Sequence, residues 1–228
     1  MVDYQLERKA VRQLTIRVDE HGVHVKAPLF MSMKRIEDFI NQKEAWIVKK
    51  QALFGAMKRL VISDGAPLEY MGQIYTIQIH YLERGRTKVV LDGDVAHIWS
   101  VERERDKLRL QVIAWYRKEA RRVFTERLQI CHQKLAALNI PNPELHIRLM
   151  KTRFGVCNPG RAKVTLNLAL ILHRQILLDY VIVHELLHFI YADHSKNYYD
   201  LFSQWMPNWK MYRKELQDSH YQYKSYLE

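Results

Sequence analysis

Three histidines and one glutamate late in the chain have the spacing of a catalytic metal site. His184, Glu185 and His188 form the pattern H-E-x-x-H, and His194 follows six residues after the second histidine. On a helix, residues four apart lie on one face about one turn apart, so the two histidines of the motif can share a small cation. Glu185 lies about 100° further round the helix, beside that cation. This position suits a general base that takes a proton from water activated by the metal.

The third histidine favours a catalytic site over a structural one. Three histidines with an open fourth position are typical of catalytic zinc, whereas structural zinc is enclosed by four protein ligands. His194 must come from the chain after the helix turns back, and Asp193 beside it is an alternative ligand or a partner of a histidine. We favour His194 because neutral imidazole suits zinc. The sequence therefore predicts one Zn²⁺ per chain.

The helix that carries the motif is predicted to be buried. Its other positions are Val181, Ile182, Val183, Leu186, Leu187, Phe189 and Ile190. A helix that is apolar on nearly all sides belongs inside a domain, where histidines and a glutamate are costly unless something pairs with them. A metal would supply that partner. The alternative is a core helix whose histidines bond to nearby backbone or carboxylates.

Composition limits the class of protein. The chain has 228 residues, of which 48% are hydrophobic and 11% aromatic, so it is globular. No apolar run approaches 18 residues and the first residues are polar, so we expect neither a membrane span nor a signal peptide. The two cysteines, Cys131 and Cys157, form no C-x-x-C pair, which fits a reducing cytoplasm.

The charge balance suggests anionic partners. The net charge is +11, which attracts nucleic acid, nucleotides or acidic protein surfaces. One face of a predicted long helix is basic: Arg117, Lys118, Arg121, Arg122 and Arg127. Such a face is most often simply solvated, and the alternative is a surface that binds phosphate or a partner.

The patterning predicts an α+β fold. The N-terminal region, residues 1–105, is β-rich: it contains a hairpin over residues 14–27, one helix from about Lys34 to Ala56 capped by Ser32, and up to four strands within residues 68–100. Residues 106–228 form the catalytic domain, which begins with a long helix from about Lys107 to Leu138.

The catalytic domain continues with a small sheet and the motif helix. Two extended stretches, Leu145 to Met150 and Ala162 to Leu168, are joined by a turn-rich loop. The motif helix then has Asp179 in its first turn, where a carboxylate is favourable. Ser195 is a candidate cap for a further helix, Lys196 to Trp205.

The chain resembles the YgjP-like metallopeptidases, zincins related to SprT and WLM proteins. The stretch YVIVHELLHFIYADHSKNYYDLF is similar to the family's HELxH-x5-HS segment, and MKTRFGVCNPG with VTLNLAL is similar to its RWGSC and LN segment. The segments WIVKK, YMGQIY and WYRKEARRVFTERL also match, so the likeness covers most of the chain. Phe154 and Val156 replace the family's tryptophan and serine, and KNYYD replaces a proline and an aromatic pair ending in tryptophan.

The resemblance implies a zincin-like metallohydrolase domain. It places metal ligands at His184, His188 and His194 and the base at Glu185. It also draws attention to residues of the preceding loop and strand: Arg153, Gly155, Cys157 and Asn167. Arg153 is a candidate for stabilising an oxyanion, and the alternative is a structural arginine that ties the loop to a carbonyl or carboxylate.

The leading functional hypothesis is a zinc-dependent metallopeptidase acting on a peptide or protein. In zincins a strand before the active-site helix pairs with an extended substrate, and Val164 to Leu168 is the candidate here. Three alternatives remain open at this stage. They are a metal-dependent hydrolase of nucleotide phosphoanhydrides, a nucleic-acid-associated SprT-like protease, and a non-enzymatic module stabilised by a metal.

Overall fold

The structure is a computed structural model that describes residues 2–19, 21–55, 59–223 and 225–228. The chain divides into two compact units, Met1–Lys58 and Arg59–Glu228. The predicted α+β class is confirmed, because both units contain strands and helices that follow one another in separate runs. None of the helices among the described residues has the length and apolar character that a membrane crossing needs.

The first unit is a three-stranded sheet with two helices. Strand β1 (Gln5–Lys9) pairs in parallel with β3 (Gly22–Pro28), which pairs antiparallel with β2 (Thr15–Asp19). The predicted hairpin is therefore confirmed, although Glu20 in its turn lies outside the described residues. The core of this unit joins β3 to the helices through Val23, Val25, Ala27, Ile36, Ile40 and Ile47.

The prediction of one helix over residues 34–56 is wrong. Two helices occupy this stretch, α1 (Met33–Gln42) and α2 (Glu44–Gly55), and Lys43 between them has φ −101° and ψ 2°. The break has no glycine or proline to mark it, and both helices direct apolar residues into one core, so the helical period continues across it. The predicted cap is confirmed, since Ser32 Oγ accepts from the Arg35 N–H at 3.4 Å. The predicted end at Ala56 lies outside the described residues.

The second unit begins with the four predicted strands. They are β4 (Pro67–Tyr70), β5 (Gln73–Tyr81), β6 (Lys88–Asp92) and β7 (Val95–Ser100), in the order β4-β5-β7-β6. The long helix α3 (Arg105–Lys134) follows and shares one hydrophobic core with this sheet. Residues 59–105 therefore belong to the same compact unit as the H-E-x-x-H motif. The predicted limits of the catalytic domain, 106–228, concern function and stay a prediction.

A second sheet precedes the motif helix and corrects two predictions. Its strands are β8 (Glu144–Arg148), β9 (Gly155–Asn158) and β10 (Lys163–Asn167), in the order β8-β10-β9. The turn-rich loop thus contains a strand, β9, which is too short and too rich in turn-forming neighbours to show alternation. The expected free edge at Val164 to Leu168 is absent from this sheet, because β10 is central and pairs on both sides.

The motif helix, α4, runs from Gln175 to Leu187 and is buried along most of its length. Asp179 is not in its first turn, as predicted, but one turn further on, facing α3. There it accepts two hydrogen bonds of 2.8 Å from the Arg127 guanidinium. Arg127 accordingly does not belong to the solvated basic face, since its side chain is 14% exposed and that of Asp179 12%.

Breaking this ion pair should destabilise the second unit strongly. Arg127→Ala leaves the Asp179 carboxylate buried without its partner, so we expect the free energy of unfolding to fall by about 3 kcal/mol. Urea titration followed by circular dichroism measures the change. Arg122→Ala is the control, because Arg122 pairs with Glu119 at the surface and its side chain is 62% exposed; its expected cost is about 1 kcal/mol or less. Equal costs for the two variants would contradict the assignment.

The turn between β4 and β5 holds the chain that enters α4. The Met71 N–H donates to the Ile171 carbonyl at 2.8 Å, and the Gly72 N–H donates to the Leu172 carbonyl at 3.1 Å. Gly72 has φ +78°, and a Cβ there would lie 2.8 Å from the backbone nitrogen of Arg174. Only glycine satisfies both the dihedral angle and this close approach. The first sheet of this unit thereby fixes where α4 begins.

Two helices complete the unit. Helix α5 spans Lys196–Trp205, as predicted, and α6 spans Trp209–Tyr223. Ser195 occupies the cap position of α5, but its side chain makes no capping hydrogen bond. His194 lies in the loop between α4 and α5, so the positions of these two helices determine where this histidine lies.

Candidate active site

The structure brings the three predicted ligands together. His184 lies in the last turn of α4, His188 directly follows that helix, and His194 comes from the loop before α5. One nitrogen from each ring lies within 4.8 Å of the other two. The Nε2 atoms of His184 and His194 are 3.2 Å apart. The alternative ligand, Asp193, is not in this group, and its Oδ1 accepts from the Ser195 N–H at 3.3 Å.

Hydrogen bonds define which nitrogen of each helix-borne histidine is free. His188 Nδ1 is 3.0 Å from the Tyr191 carbonyl, which can only accept, so Nδ1 carries the proton and Nε2 keeps its lone pair. His184 Nδ1 is 2.6 Å from the Tyr198 hydroxyl, whose oxygen is also 3.2 Å from the His184 carbonyl. The hydroxyl donates to that carbonyl and therefore accepts from Nδ1. Both Nε2 atoms are left as acceptors.

The donor set fits a zinc ion. Two nitrogens bound to tetrahedral zinc at about 2.0–2.1 Å lie roughly 3.3 Å apart, close to the separation of the His184 and His194 Nε2 atoms. Burial, with the neighbouring His188 and His194, lowers the pKa of His184 to about 3, so its ring is neutral at physiological pH. Among the residues that the structure describes, no fourth histidine, cysteine, aspartate or glutamate joins the group. An open fourth position is what a catalytic site requires.

Glu185 is buried on α4 next to the histidines and faces β9. Its side chain approaches Gly155 so closely that a Cβ on that glycine would lie 2.5 Å from Glu185 Oε1. Burial raises the pKa of Glu185 to about 8, and a hydrogen bond from the Cys157 N–H and the charge of Arg153 act against that rise. A carboxylate in such a setting holds a proton readily, as a general base must.

Comparison with known families decides the family of this chain. A family model described as YgjP-like, metallopeptidase domain, matches residues 12–219. The chain belongs to the YgjP-like family. The resemblance found in the sequence is confirmed, and membership indicates a metal-dependent hydrolase. No curated protein matches the chain significantly.

The YgjP-like segment around Asn167 has a structural role. The Asn167 side chain is buried, and its Nδ2 donates to the carbonyls of Met150 at 2.7 Å and Arg153 at 2.8 Å. Its Oδ1 accepts from the N–H groups of Met150 at 3.2 Å and Ala169 at 3.1 Å. All four hydrogen-bonding positions of the amide are used. Asn167 thus ties the arginine-bearing loop to the end of β10.

Arg153 and Cys157 lie on either side of Gly155. The Arg153 side chain is exposed and makes no ion pair or hydrogen bond with any residue the structure describes, yet its charge lowers the pKa of Glu185. Burial and the nearby Glu185 raise the pKa of the Cys157 thiol to about 12, so the thiol is neutral at physiological pH. A zinc ligand would be a thiolate, and Cys157 is not in the metal group.

Several residues of the YgjP-like site were missed in the sequence. A cavity of about 300 Å³ opens beside His184 and His194; its other lining residues are Phe154, Tyr180, Tyr199, Trp209, Arg213, Leu216 and Gln217. Tyr198 is fully buried against His184. Tyr198 and Tyr199 belong to KNYYD, the segment in which the sequence differs from the family pattern. An aromatic pair on a helix more often packs in the core, so the pattern did not assign them to the site. Nothing in the local pattern brings α6 to the histidines.

Gly155→Ala tests the contact between β9 and Glu185. The added Cβ cannot be accommodated unless the buried Glu185 side chain moves, so we expect kcat/KM to fall roughly 10- to 100-fold with zinc content unchanged. Peptidase kinetics and elemental analysis provide the two measurements. Gly160→Ala is the matched control in the same loop, since a Cβ there meets nothing closer than 3.8 Å. If both variants keep full activity, the position of Glu185 does not depend on this contact.

Proposed function

We propose that this YgjP-like protein is a zinc-dependent metallopeptidase in which Glu185 is the general base. The observation that carries the proposal is the convergence of His184, His188 and His194 on one point, with the buried Glu185 carboxylate adjacent on the same helix. Two of the three histidines are held in the tautomer that leaves Nε2 free. Core histidines without a metal would have no need of this shared orientation.

The side chains would divide the work of hydrolysis as follows. When bound by the three histidines, zinc supplies a Lewis acid that acidifies water and polarises a carbonyl oxygen. Glu185 accepts the proton from water and delivers it to the nitrogen that leaves. Burial of Glu185 beside β9 keeps its carboxylate in one orientation and away from bulk solvent.

Strand β9 is the proposed partner of an extended peptide. It is an edge strand of its sheet, and the Cys157 N–H is directed at Glu185 and away from β10. Alternate residues of a strand direct their backbone groups to the same edge, so the N–H and carbonyl of Gly155 share this orientation. A peptide that pairs with this edge runs directly past the base. This edge replaces the one first expected on β10.

Arg153 is proposed to stabilise the oxyanion. It lies at the end of the loop that Asn167 holds, two residues before β9 begins, and its guanidinium is exposed and unpaired within the described residues. An arginine with no structural partner is available to donate hydrogen bonds to charge that develops during the reaction. The alternative structural role requires a carbonyl or carboxylate that Arg153 holds directly, and among the described residues Arg153 acts on the Glu185 carboxylate only through its charge.

The decisive experiment combines metal analysis with a substrate panel. Protein purified without a histidine tag is analysed for zinc, then incubated with unfolded protein, with nucleoside triphosphates and with DNA-bound protein. The proposal expects one zinc per chain and cleavage of unfolded protein that Glu185→Gln abolishes. Hydrolysis of nucleotides alone, dependence of cleavage on DNA, or no activity with any substrate would each favour one of the alternative functions.

Tyr198→Phe tests whether the hydroxyl orients a ligand. The variant keeps the buried ring but removes the acceptor for His184 Nδ1–H, so we expect zinc affinity to fall roughly 10- to 100-fold. Competition with a chromogenic chelator measures the affinity. Tyr180→Phe is the control, because the Tyr180 ring lies 6.2 Å from that of His184 between centroids and its hydroxyl forms no hydrogen bond to a histidine nitrogen among the described residues. Unchanged affinity in Tyr198→Phe would show that packing alone holds the ring of His184.

A further inference from the structure

Arg213 brings a positive charge into the cavity beside the histidines. It lies on α6 and lines the cavity together with His184, His194 and Tyr199. Its Nη1 donates to the Tyr199 hydroxyl at 3.4 Å. The charge therefore lies on the site side of α6.

No acidic side chain neutralises this arginine in the part of the chain that the structure describes. Glu215, two residues along the same helix, is engaged by Arg174 through hydrogen bonds of 2.7 and 2.6 Å. Three other arginines of this unit, Arg122, Arg127 and Arg174, each pair with a carboxylate. Arg213 differs from them because it points a charge into a cavity where the described residues supply no counter-ion.

The cavity walls strengthen the attraction of this charge for an anion. Phe154, Tyr180 and Leu216 provide apolar surface, and Trp209 stacks on Tyr199 at 4.7 Å between ring centroids with 17° between ring planes. Rings of low polarity lower the local dielectric, so a cation and an anion attract more strongly there than in water. Trp209 stacks on the ring of Tyr199, and the hydroxyl of Tyr199 accepts the hydrogen bond from Arg213.

The size of the cavity suits a small anionic group. About 300 Å³ is enough for one side chain or a chain end. A carboxylate matches a guanidinium through two parallel hydrogen bonds. In a peptide, carboxylates occur on aspartate and glutamate side chains and at the C-terminus.

We propose that Arg213 is a specificity-determining residue that binds a substrate carboxylate in this cavity, next to the three histidines. The proposal rests on the peptidase function proposed above and names its substrate class: peptides with an acidic side chain or a free C-terminus close to the scissile bond. Arg213 determines which peptide is bound, and Glu185 acts as the general base for every substrate.

The test measures binding and turnover separately. The zinc-loaded Glu185→Gln variant, which binds without cleaving, is titrated with alanine-based hexapeptides that contain one glutamate, glutamine or lysine at each position in turn. Each peptide is made with a free and with an amidated C-terminus, so the two sources of carboxylate are distinguished. The same peptides are given to the active enzyme to determine kcat/KM. Arg213→Gln is then introduced into both forms.

We expect one carboxylate to improve binding and kcat/KM roughly 10- to 100-fold over its neutral counterpart, and Arg213→Gln to remove that preference with zinc content unchanged. Arg213→Glu should reverse the preference towards the lysine peptides. Lys210→Gln, which removes a cation from α6 outside the cavity lining, should leave the preference intact.

An Arg213-dependent carboxylate preference in binding without any hydrolysis would support the subsite and refute the peptidase function. Hydrolysis without carboxylate preference, equal weakening of all peptides by Arg213→Gln, or no binding of any peptide would overturn the subsite.

Discussion

Glu185→Gln should lower kcat/KM for an unfolded protein substrate by roughly 10²- to 10⁴-fold while zinc content stays at one ion per chain. Glutamine has nearly the same shape as glutamate and can still accept the Cys157 N–H, so the surroundings of the side chain need not change. It cannot take up a proton from water. The loss is therefore expected in the chemical step and not in binding of the metal.

Three measurements separate a lost base from a damaged protein. Elemental analysis gives the zinc content, steady-state kinetics give kcat and KM, and thermal unfolding checks the fold. Glu126→Gln removes a carboxylate from the exposed surface of α3 and should behave as the wild type in all three. Full activity of Glu185→Gln would refute its role as the base. Loss of zinc in this variant would instead make Glu185 part of the metal site.

His188→Ala should release the metal. Two imidazoles remain, and we expect the affinity for zinc to fall by more than about 100-fold, since loss of a partner outside the ligand set alone costs up to about that much. Activity falls with it. The increase in unfolding temperature that zinc gives the wild type should also disappear, because a metal stabilises only the state that binds it.

The control for this prediction is another histidine. His24→Ala lies in the first compact unit, where His24 Nε2 contacts Asp19 Oδ1 at 3.0 Å, and it should leave zinc content unchanged. Elemental analysis after dialysis against a chelator and thermal unfolding with and without zinc give the readouts. Unchanged zinc content in His188→Ala would favour the interpretation of these histidines as members of a buried core.

Local patterns predicted the elements that carry the site. The period of four places His184 and His188 on one helix face, and alternation predicts the four strands before α3. These features depend on neighbours in sequence, so a single chain reveals them. The third histidine also follows closely enough to be recognised, because a short loop brings it back to the end of α4.

Features that depend on distant contacts were not predictable. Strand β9 is a strand because β10 pairs with it, and Asp179 faces inward because Arg127 on α3 reaches it. The roles of Tyr198 and Arg213 follow from the packing of α5 and α6 against α4. Local sequence patterns do not predict how these helices are oriented against each other. The break at Lys43 could not be predicted either, because α1 and α2 pack apolar residues into the same core and the helical spacing of those residues continues across the break.

The hydrogen bonds from the β4–β5 turn restrict how the catalytic motif could be moved to another protein. A fragment that begins at residue 106 would keep His184, His188, His194 and Glu185 but lose the N–H groups of Met71 and Gly72. The carbonyls of Ile171 and Leu172, in residues that are almost fully buried, would then lack their donors, at a cost of about 1–3 kcal/mol each. The H-E-x-x-H segment therefore depends on hydrogen bonds from outside residues 106–228. A fragment meant to transfer it has to start near residue 59, so that it includes the sheet whose β4–β5 turn donates them.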